Sequence, residues 1–184
     1  MSAASEKAEL RTRYRFERRE RYLDHSFAYL ATSLEFSKAQ VIASYISFGD
    51  EPKTAELNAA LLKNGKELYL PRVNGKSLDW VRWSGDKSEL APSKLSKEIL
   101  EPTGPALEDF SIIELVVVPA LRIDRCGYRL GQGGGFYDRA LPQLSAWSIG
   151  LIHPDEISSV DLPREEFDAP LNAAATPDLI LRIS

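Results

Sequence analysis

The order of segments in residues 41–70 constrains the fold more than any other feature of the sequence. Residues 41–47 (VIASYIS) form an apolar and β-branched run that is typical of a buried parallel strand. A turn follows, then a helical segment at 54–64 that ends at Gly65, and then a second short strand at 67–70. This order predicts an α/β protein with an open, mostly parallel sheet, in which ligands bind in loops at the carboxyl ends of strands.

The rest of the sequence adds further elements to this sheet. We expect strands at 78–83, 112–118, 147–152 and 179–183, and a short helix at 136–141. Residues 5–34 are rich in helix formers and predict one long amphipathic helix, with a break near Asp24. Residues 84–105 and 162–177 carry prolines and polar residues and predict loops, of which the first is a candidate lid. With 184 residues, of which 43% are hydrophobic, we predict one domain over residues 1–184.

Composition argues against several classes of function. The formal net charge of -4 argues against wholesale nucleic-acid binding, which usually shows as a strongly basic balance. No apolar run approaches the ~20 residues that span a bilayer, and the N-terminus lacks the apolar segment of a secretory signal. Cys126 is the single cysteine, so no intramolecular disulfide can form and a reducing compartment is favoured. We therefore expect a cytoplasmic protein that binds neither nucleic acid nor membrane.

A glycine-rich stretch at 127–139 (GYRLGQGGGFYDR) indicates a binding loop. Four glycines fall within residues 131–135, where each loses more backbone entropy on ordering than another residue would. Such a backbone suits phosphate, because main-chain N–H groups can approach it closely and a helix that begins near Phe136 would direct further N–H groups at the same point. A turn-rich connector without a ligand is the alternative interpretation.

The glycine-rich stretch matches neither of the two common nucleotide-binding motifs. A P-loop requires Gly-Lys-Ser/Thr, and no lysine follows these glycines. A dinucleotide fingerprint requires glycine or alanine three residues after its second glycine, whereas Phe136 stands at that distance from Gly133. What remains is the order basic, glycine, acidic, in which Arg129 could neutralise phosphate and Asp138 could hold a divalent cation.

Two further groups of charged residues each allow two interpretations. Lys7, Arg11 and Arg15 lie four residues apart and would share one helical face, which is either a solvated, salt-bridged surface or a contact to a polyanion. Asp50 and Glu51 follow the first predicted strand, where they either complement the N-terminus of the next helix or take part in catalysis. Sequence periodicity does not choose between these interpretations.

Histidine and cysteine do not suggest a site of their own. His25 lies in the N-terminal helical segment, and His153 precedes Pro154. The spacing of these residues and Cys126 matches no zinc site, and no histidine stands near the cysteine in the sequence to support a thiol mechanism. We therefore expect structural roles for both histidines and for the cysteine.

The sequence resembles a known family over most of its length. Residues 116–141 (VVVPALRIDRCGYRLGQGGGFYDRAL) are similar to the signature of the 5-formyltetrahydrofolate cyclo-ligases, also called 5,10-methenyltetrahydrofolate synthetases. Further matches occur in the family's order, namely Lys7-x-x-Leu10-Arg11, Glu51-x-x-Thr54, Leu70-Pro71-Arg72-Val73, Glu101-Pro102 and Asp168. The resemblance implies a single three-layer α/β/α domain with a mostly parallel open sheet, Rossmann-like and of the NagB/RpiA/CoA transferase type.

The resemblance also implies a reaction and a set of site residues. The family converts 5-formyltetrahydrofolate and ATP to 5,10-methenyltetrahydrofolate, ADP and phosphate, so we expect a monomeric enzyme that uses ATP, Mg²⁺ and a reduced folate. Lys7, Arg129 and Glu51 would be catalytic, and Asp138 and Asp168 would hold the metal. The residues expected to bind ATP are Lys7, Arg11, Arg129, Leu130, Gly131, Gln132, Gly133, Gly134, Gly135, Phe136 and Tyr137. The residues expected to bind the folate are Ile46, Glu51, Gln132 and Phe136.

Two departures from the family pattern leave alternatives open. Phe136 stands where the family usually has a tyrosine, and Asn172 stands where it often has an aspartate. One alternative is a relative that binds nucleotide or folate without turnover. Another is an ATP-dependent enzyme that acts on a different N-formyl or amide compound.

Overall fold

The computed structural model describes residues 2–183, in which most helices and strands are short. The α-helices are α1 (Ala3–Arg21), α2 (Leu34–Lys38), α3 (Ala55–Lys63) and α4 (Phe136–Ala140). The strands are β1 (Val41–Ala43), β2 (Glu67–Asn74), β3 (Ser77–Trp83), β4 (Leu90–Pro92), β5 (Leu100–Pro102), β6 (Leu115–Pro119), β7 (Arg122–Asp124), β8 (Arg129–Leu130), β9 (Trp147–Leu151), β10 (Ile157–Ser158), β11 (Ala173–Ala175) and β12 (Ile180–Arg182). Within the described residues, none of these helices is long and apolar enough to cross a membrane.

Seven strands form the main sheet, in the order β12-β11-β9-β6-β1-β2-β3. The inner strands pair in parallel, and β12 and β3 run antiparallel at the two edges. Strands β7, β8 and β10 form a smaller sheet, and β4 pairs with β5 inside the segment that we expected to be a loop at 84–105. The predicted α/β class and mostly parallel open sheet are confirmed.

Alternate residues of the central strand β6 enter two different hydrophobic clusters. Leu115 and Val117 pack on the face that is covered by α2, α3 and a 3-10 turn at Ala28–Thr32. Val116 and Val118 pack on the other face, which is covered by α4 and the small sheet. Burial on both faces explains why the strand is apolar throughout instead of alternating. Because the second face carries a small sheet as well as a helix, the finer Rossmann-like three-layer description stays a prediction.

The N-terminal helix is shorter than the sequence predicted. Helix α1 ends at Arg21, close to the break predicted near Asp24, but a loop and a 3-10 turn separate it from α2, so the helix does not continue to residue 34. Phe16, the one large aromatic hydrocarbon side chain of this helix, is 65% exposed. The buried residues of α1 are instead Lys7 and Arg18. The helix is therefore held by buried charged side chains instead of an apolar stripe.

The loop predicted at 162–177 contains strand β11, which the sequence did not reveal. Its three alanines are buried between β9 and β12. Alanine is depleted in strands, so this segment carries no β-branched signal. Within this strand, Ala174 pairs with Gly150 of β9. The side chains of Ile123 and Leu171 occupy the space where a Cβ of Gly150 would lie, so small residues on both strands leave room for these two side chains.

Gly127→Ala tests the close approach of two chain segments beside the small sheet. Gly127 has φ +87, and a Cβ there would lie 2.5 Å from the main-chain oxygen of Leu171. Left-handed strain and overlap with backbone should together lower the free energy of unfolding by more than about 2 kcal/mol. Gly65→Ala is the matched control, since φ is +75 and nothing lies within 4 Å. Chemical denaturation of both variants measures the difference, and equal losses would contradict the steric explanation.

Candidate functional site

A cavity of about 400 Å³ lies at the carboxyl ends of the parallel strands β1 and β6. Its walls come from the loop after β1, the glycine-rich loop, the first half of α1 and part of the 84–105 segment. The volume is in the range of small-molecule sites. The predicted site residues that line it are Lys7, Arg11, Ile46, Glu51, Arg129, Gly131, Gln132, Gly133, Gly134, Gly135, Phe136, Tyr137, Asp138 and Asp168.

The two residues of strand β8 place their side chains on different sides, and only Arg129 lines the cavity. Leu130 is 1% exposed and does not line the cavity, so only its main chain is near the glycine-rich loop. Arg129 lines the cavity and places its Nη2 2.8 Å from Oδ1 of Asp138. The Arg129 side chain is 3% exposed, and Asp138 compensates its buried charge.

Lys7 is turned into the cavity wall, although it belongs to a helix of mostly exposed charges. Its Nζ lies 2.5 Å from Oδ2 of Asp168 and 2.9 Å from Oε2 of Glu165, and its side chain is 4% exposed. This position excludes the solvated interpretation for Lys7. Glu165 was not predicted, because nothing in the local sequence distinguishes it from other surface acids.

Arg11 and Arg15 bind the glycine-rich loop through its oxygen atoms. Nε of Arg11 donates to the carbonyl of Gly131 at 3.0 Å. Arg15 donates to the Gln132 carbonyl at 2.6 Å and to its side-chain oxygen at 2.9 Å. Among the residues that the structure describes, neither arginine forms an ion pair with a carboxylate. Two positive charges beside the loop are therefore uncompensated, which favours an anionic ligand.

The glycine-rich loop ends in a left-handed residue that starts α4. Gly135 has φ +65, a conformation that glycine adopts without a Cβ penalty. Arg139, one turn into the helix, donates to the carbonyl of Gly134 at 2.8 Å and lies over the ring of Phe136. Helix α4 spans five residues, so its dipole contributes less than we expected. The arginines around the loop therefore supply more of the positive charge at this site than the helix does.

Glu51 faces the same cavity from the loop between β1 and α3. The residue is 4% exposed, and its Oε2 accepts a hydrogen bond from the N–H of Phe48 at 3.1 Å. Burial raises the pKa of Glu51 to about 7, although the Phe48 N–H and the charge of Arg18 act in the opposite direction. A carboxyl with this pKa can donate or accept a proton near neutral pH, which suits a site residue better than a helix-end charge.

Two tyrosines bring unpaired hydroxyl groups to the cavity. The hydroxyls of Tyr45 and Tyr137 are buried and have no hydrogen-bond partner among residues 2–183. Burial raises the pKa of both groups, and the nearby charge of Glu51 acts in the same direction, so they remain protonated. A buried unpaired hydroxyl is costly, and a bound ligand can supply the missing partner. Tyr45 was missed in the sequence because it looks like one more apolar residue of a strand.

The two predicted metal ligands lie on the same cavity, each beside a cation. Asp138 pairs with Arg129, and Asp168 pairs with Lys7. Within residues 2–183, no group of three or more His, Cys, Asp or Glu side chains is placed to hold a metal alone. Two carboxylates still fit Mg²⁺, which usually keeps several waters and takes further oxygens from substrate phosphates. Asn172 does not line the cavity and has a structural contact instead. Its Oδ1 accepts hydrogen bonds from the N–H and the hydroxyl of Ser148 in β9.

Comparisons with known proteins agree on one family. The model of the 5-formyltetrahydrofolate cyclo-ligase family matches residues 3–177. The 5-formyltetrahydrofolate cyclo-ligase of Escherichia coli (strain K12) is 32% identical over 149 residues, which cover 77% of this chain and 80% of that protein. The enzyme of the same name from Mycolicibacterium smegmatis is 31% identical over 75% of this chain and 74% of that protein. The NMR structure of Aquifex aeolicus 5,10-methenyltetrahydrofolate synthetase superimposes with a TM-score of 0.79 at 27% identity, covering 96% of this chain and 92% of that one.

The raised pKa of Glu51 predicts a pH-dependent effect of Glu51→Gln on stability. The ordinary pKa is 4.5 and the folded value is about 7, so between them the folded state binds more protons and stability falls as pH rises. Glutamine removes this loss, so from about pH 5 to about pH 8 the variant should gain roughly 2–3 kcal/mol in free energy of unfolding relative to wild type. Urea denaturation at both pH values measures the gain, with the exposed Glu98→Gln as control. A gain that does not change with pH would contradict the assigned burial.

Proposed function

Because the chain belongs to the 5-formyltetrahydrofolate cyclo-ligase family, we propose that it converts 5-formyltetrahydrofolate and ATP to 5,10-methenyltetrahydrofolate, ADP and phosphate. One observation carries the proposal: a glycine-rich loop with the uncompensated Arg11, and the buried carboxyl of Glu51, line the same cavity. The first feature suits the phosphates of ATP. The second suits a substrate that must exchange a proton during reaction.

The formyl oxygen is a poor leaving group, so it must be activated before the new ring closes. In the proposed reaction this oxygen attacks the γ-phosphorus of ATP, the bond from that phosphorus to ADP breaks, and the formyl group becomes phosphorylated. Folate N10 then attacks the formyl carbon and loses its proton, and the carbon–oxygen bond breaks to release phosphate. The protein contributes positioning and charge neutralisation, as in phosphoryl transfer generally.

We assign the phosphate-binding role to cations around the glycine-rich loop. Lys7, Arg11 and Arg129 would neutralise the phosphates, and the main-chain N–H groups of residues 131–137 would make close contacts. Leu130 would contribute through its main chain only, because its side chain is buried away from the cavity. Lys7 and Arg129 are already oriented by carboxylates, which fixes the direction of their remaining N–H groups.

The folate would occupy the part of the cavity nearest the loop after β1. Ile46, Gln132 and the ring of Phe136 would contact it, and the unpaired hydroxyls of Tyr45 and Tyr137 could hydrogen-bond to it. Glu51 is the group we assign to accept the N10 proton, because its pKa of about 7 allows both protonation states near neutral pH. A phenyl ring at 136 retains stacking and lacks only the hydroxyl of a tyrosine.

Asp138 and Asp168 are the residues that would hold Mg²⁺, together with oxygen atoms of the phosphates. When bound, the ion would neutralise charge on the phosphates. The same two carboxylates orient Arg129 and Lys7, so each would serve both a cation of the protein and the metal.

We further propose a single-domain monomer that acts on small molecules in the cytoplasm and binds no nucleic acid. The net charge of -4 supports this, as does the burial of Lys7 and Arg18, which removes part of the basic face of α1 from solvent. Size-exclusion chromatography with light scattering measures the oligomeric state. A stable dimer would contradict that part of the proposal.

A turnover assay tests the proposed reaction directly. Protein mixed with ATP, Mg²⁺ and 5-formyltetrahydrofolate should produce the absorbance of methenyl-folate together with one ADP per product, and omission of ATP or chelation of Mg²⁺ should stop it. Folate binding without ADP release would show a binding protein without turnover. Faster ADP release with another N-formyl compound would show a different substrate. Either outcome, with folded protein, would overturn the proposal.

Arg11→Gln tests the role of the uncompensated charge at the glycine-rich loop. Loss of one donor to developing negative charge should lower kcat/KM for ATP roughly 10²-fold. Arg19→Gln removes an exposed arginine from the same helix and should leave kcat/KM unchanged within about twofold. Steady-state kinetics with ATP as the varied substrate measures both. Equal effects of the two substitutions would indicate a general electrostatic effect instead of a phosphate contact.

A further inference from the structure

His153, for which the sequence predicts only a structural role, makes a contact with the loop that carries Glu51. His153 lies two residues after the end of β9 and is 8% exposed. Its Nε2 lies 2.9 Å from the main-chain oxygen of Asp50. A carbonyl oxygen can only accept, so Nε2 carries the hydrogen and donates it. The ring thereby holds the residue immediately before Glu51.

This contact is the main external restraint on the turn that contains Glu51. Glu51 donates its N–H to the Phe48 carbonyl, and Lys53 reaches the carbonyl of Gly49, but both bonds are internal to the loop. Within the described residues, the bond from His153 is the only hydrogen bond that reaches residues 48–51 from another part of the chain. Ser47 and Thr54 bond to each other at the base of this loop, so without His153 the loop would be held at its base and by packing at the cavity, but not at residues 48–51.

The other ring nitrogen indicates that His153 is not there for packing alone. Its Nδ1 is buried and has no hydrogen-bond partner in residues 2–183. Burying an unpaired polar atom is unfavourable, and an apolar ring would fill the space without that cost. The benefit that offsets this cost lies at Nε2, in the bond to Asp50. Burial also lowers the pKa of His153. The hydrogen bond to the Asp50 main chain and the charge of Glu156 oppose this, and the charges of Arg18 and His25 act in the same direction as burial, so the ring is a neutral donor.

His153 is itself fixed by a buried ion pair. Its main-chain N–H donates to Oε2 of Glu156 at 2.7 Å. Both oxygens of Glu156 accept from Arg18, at 2.8 and 2.6 Å, and the two residues are 6% and 3% exposed. Tyr22 packs its ring edge-on against the imidazole at 5.5 Å between centroids. A continuous set of contacts therefore connects α1 with the turn before α3.

We propose that His153 is a positioning residue for Glu51, which holds the Asp50 carbonyl so that the Glu51 carboxyl stays directed into the cavity. This inference rests on the proposed function, in which Glu51 meets the folate. His153 does not line the large cavity and touches no substrate there. Loss of its donor should therefore affect the folate half of the reaction and leave the ATP half unchanged.

Three substitutions at position 153 distinguish the effect of the hydrogen-bond donor from the effect of the size of the ring. His153→Gln places an amide N–H at the reach of Nε2, whereas His153→Asn is too short and His153→Phe keeps a ring without a donor. In the phenylalanine and asparagine variants, kcat/KM for 5-formyltetrahydrofolate should fall about tenfold, while KM for ATP stays within about twofold. Amide hydrogen exchange over residues 48–51 should be faster in these two variants. The glutamine variant should resemble wild type in all three measurements.

The hydrogen-exchange arm does not depend on the proposed function. If wild type shows no turnover, the proposed function fails, and exchange over residues 48–51 still decides whether His153 holds the turn. Unchanged exchange and unchanged folate kinetics in His153→Phe would overturn the inference. Equal losses in the glutamine and phenylalanine variants, or equal losses for both substrates, would also overturn it by indicating a general structural role. If His153→Phe does not fold, the comparison of asparagine with glutamine gives the same decision.

Discussion

The buried ion pair of Arg18 and Glu156 is the interaction on which the arrangement of the site depends. Helix α1 has no apolar stripe, so it cannot be held on the protein by hydrophobic burial alone. Arg18 instead binds both oxygens of Glu156 and the carbonyl of Ala120 at the end of β6. A buried pair contributes little net stability, because desolvation offsets much of the attraction, but its directional bonds help to fix the position of the helix. That position brings Lys7 to the cavity and Arg11 to the glycine-rich loop.

The positive charges in and beside the cavity are of two kinds, those paired with a carboxylate and those without such a partner. Lys7 and Arg129 each hold a carboxylate, which keeps two buried cations at low cost in the folded protein. Arg11 and Arg15 instead donate hydrogen bonds to neutral oxygen atoms of the loop, so no carboxylate partner balances their positive charges. The first kind of contact fixes geometry, and the second provides attraction for anions. A site that needs both order and affinity for phosphate requires both kinds.

The sequence was sufficient to predict an element where the residues that determine it are neighbours in the chain. The valines of β6 predict a strand buried on both faces, and the boundaries of α3 follow from Thr54 before it and Gly65 after it. The glycine-rich loop was located for the same reason, since a run of glycines has few other uses. Other features depend on distant partners. Glu165 meets Lys7 across 158 positions of the chain, the alanines of β11 become a strand only between two neighbours, and Tyr45 becomes a site residue only through where its hydroxyl is buried.

The side-chain contacts around the glycine-rich loop determine whether the loop becomes ordered on folding or on ligand binding. Arg15 holds the carbonyl of Gln132 from one side, and Arg139 holds the carbonyl of Gly134 from the other. A glycine segment of this kind would otherwise lose much of its freedom at the moment a ligand arrives. Here the loop is ordered during folding, so binding free energy is not consumed in shaping it. The loop that we propose for phosphate is thus preorganised, and its affinity would be set by charge and fit instead of by the entropy of the loop.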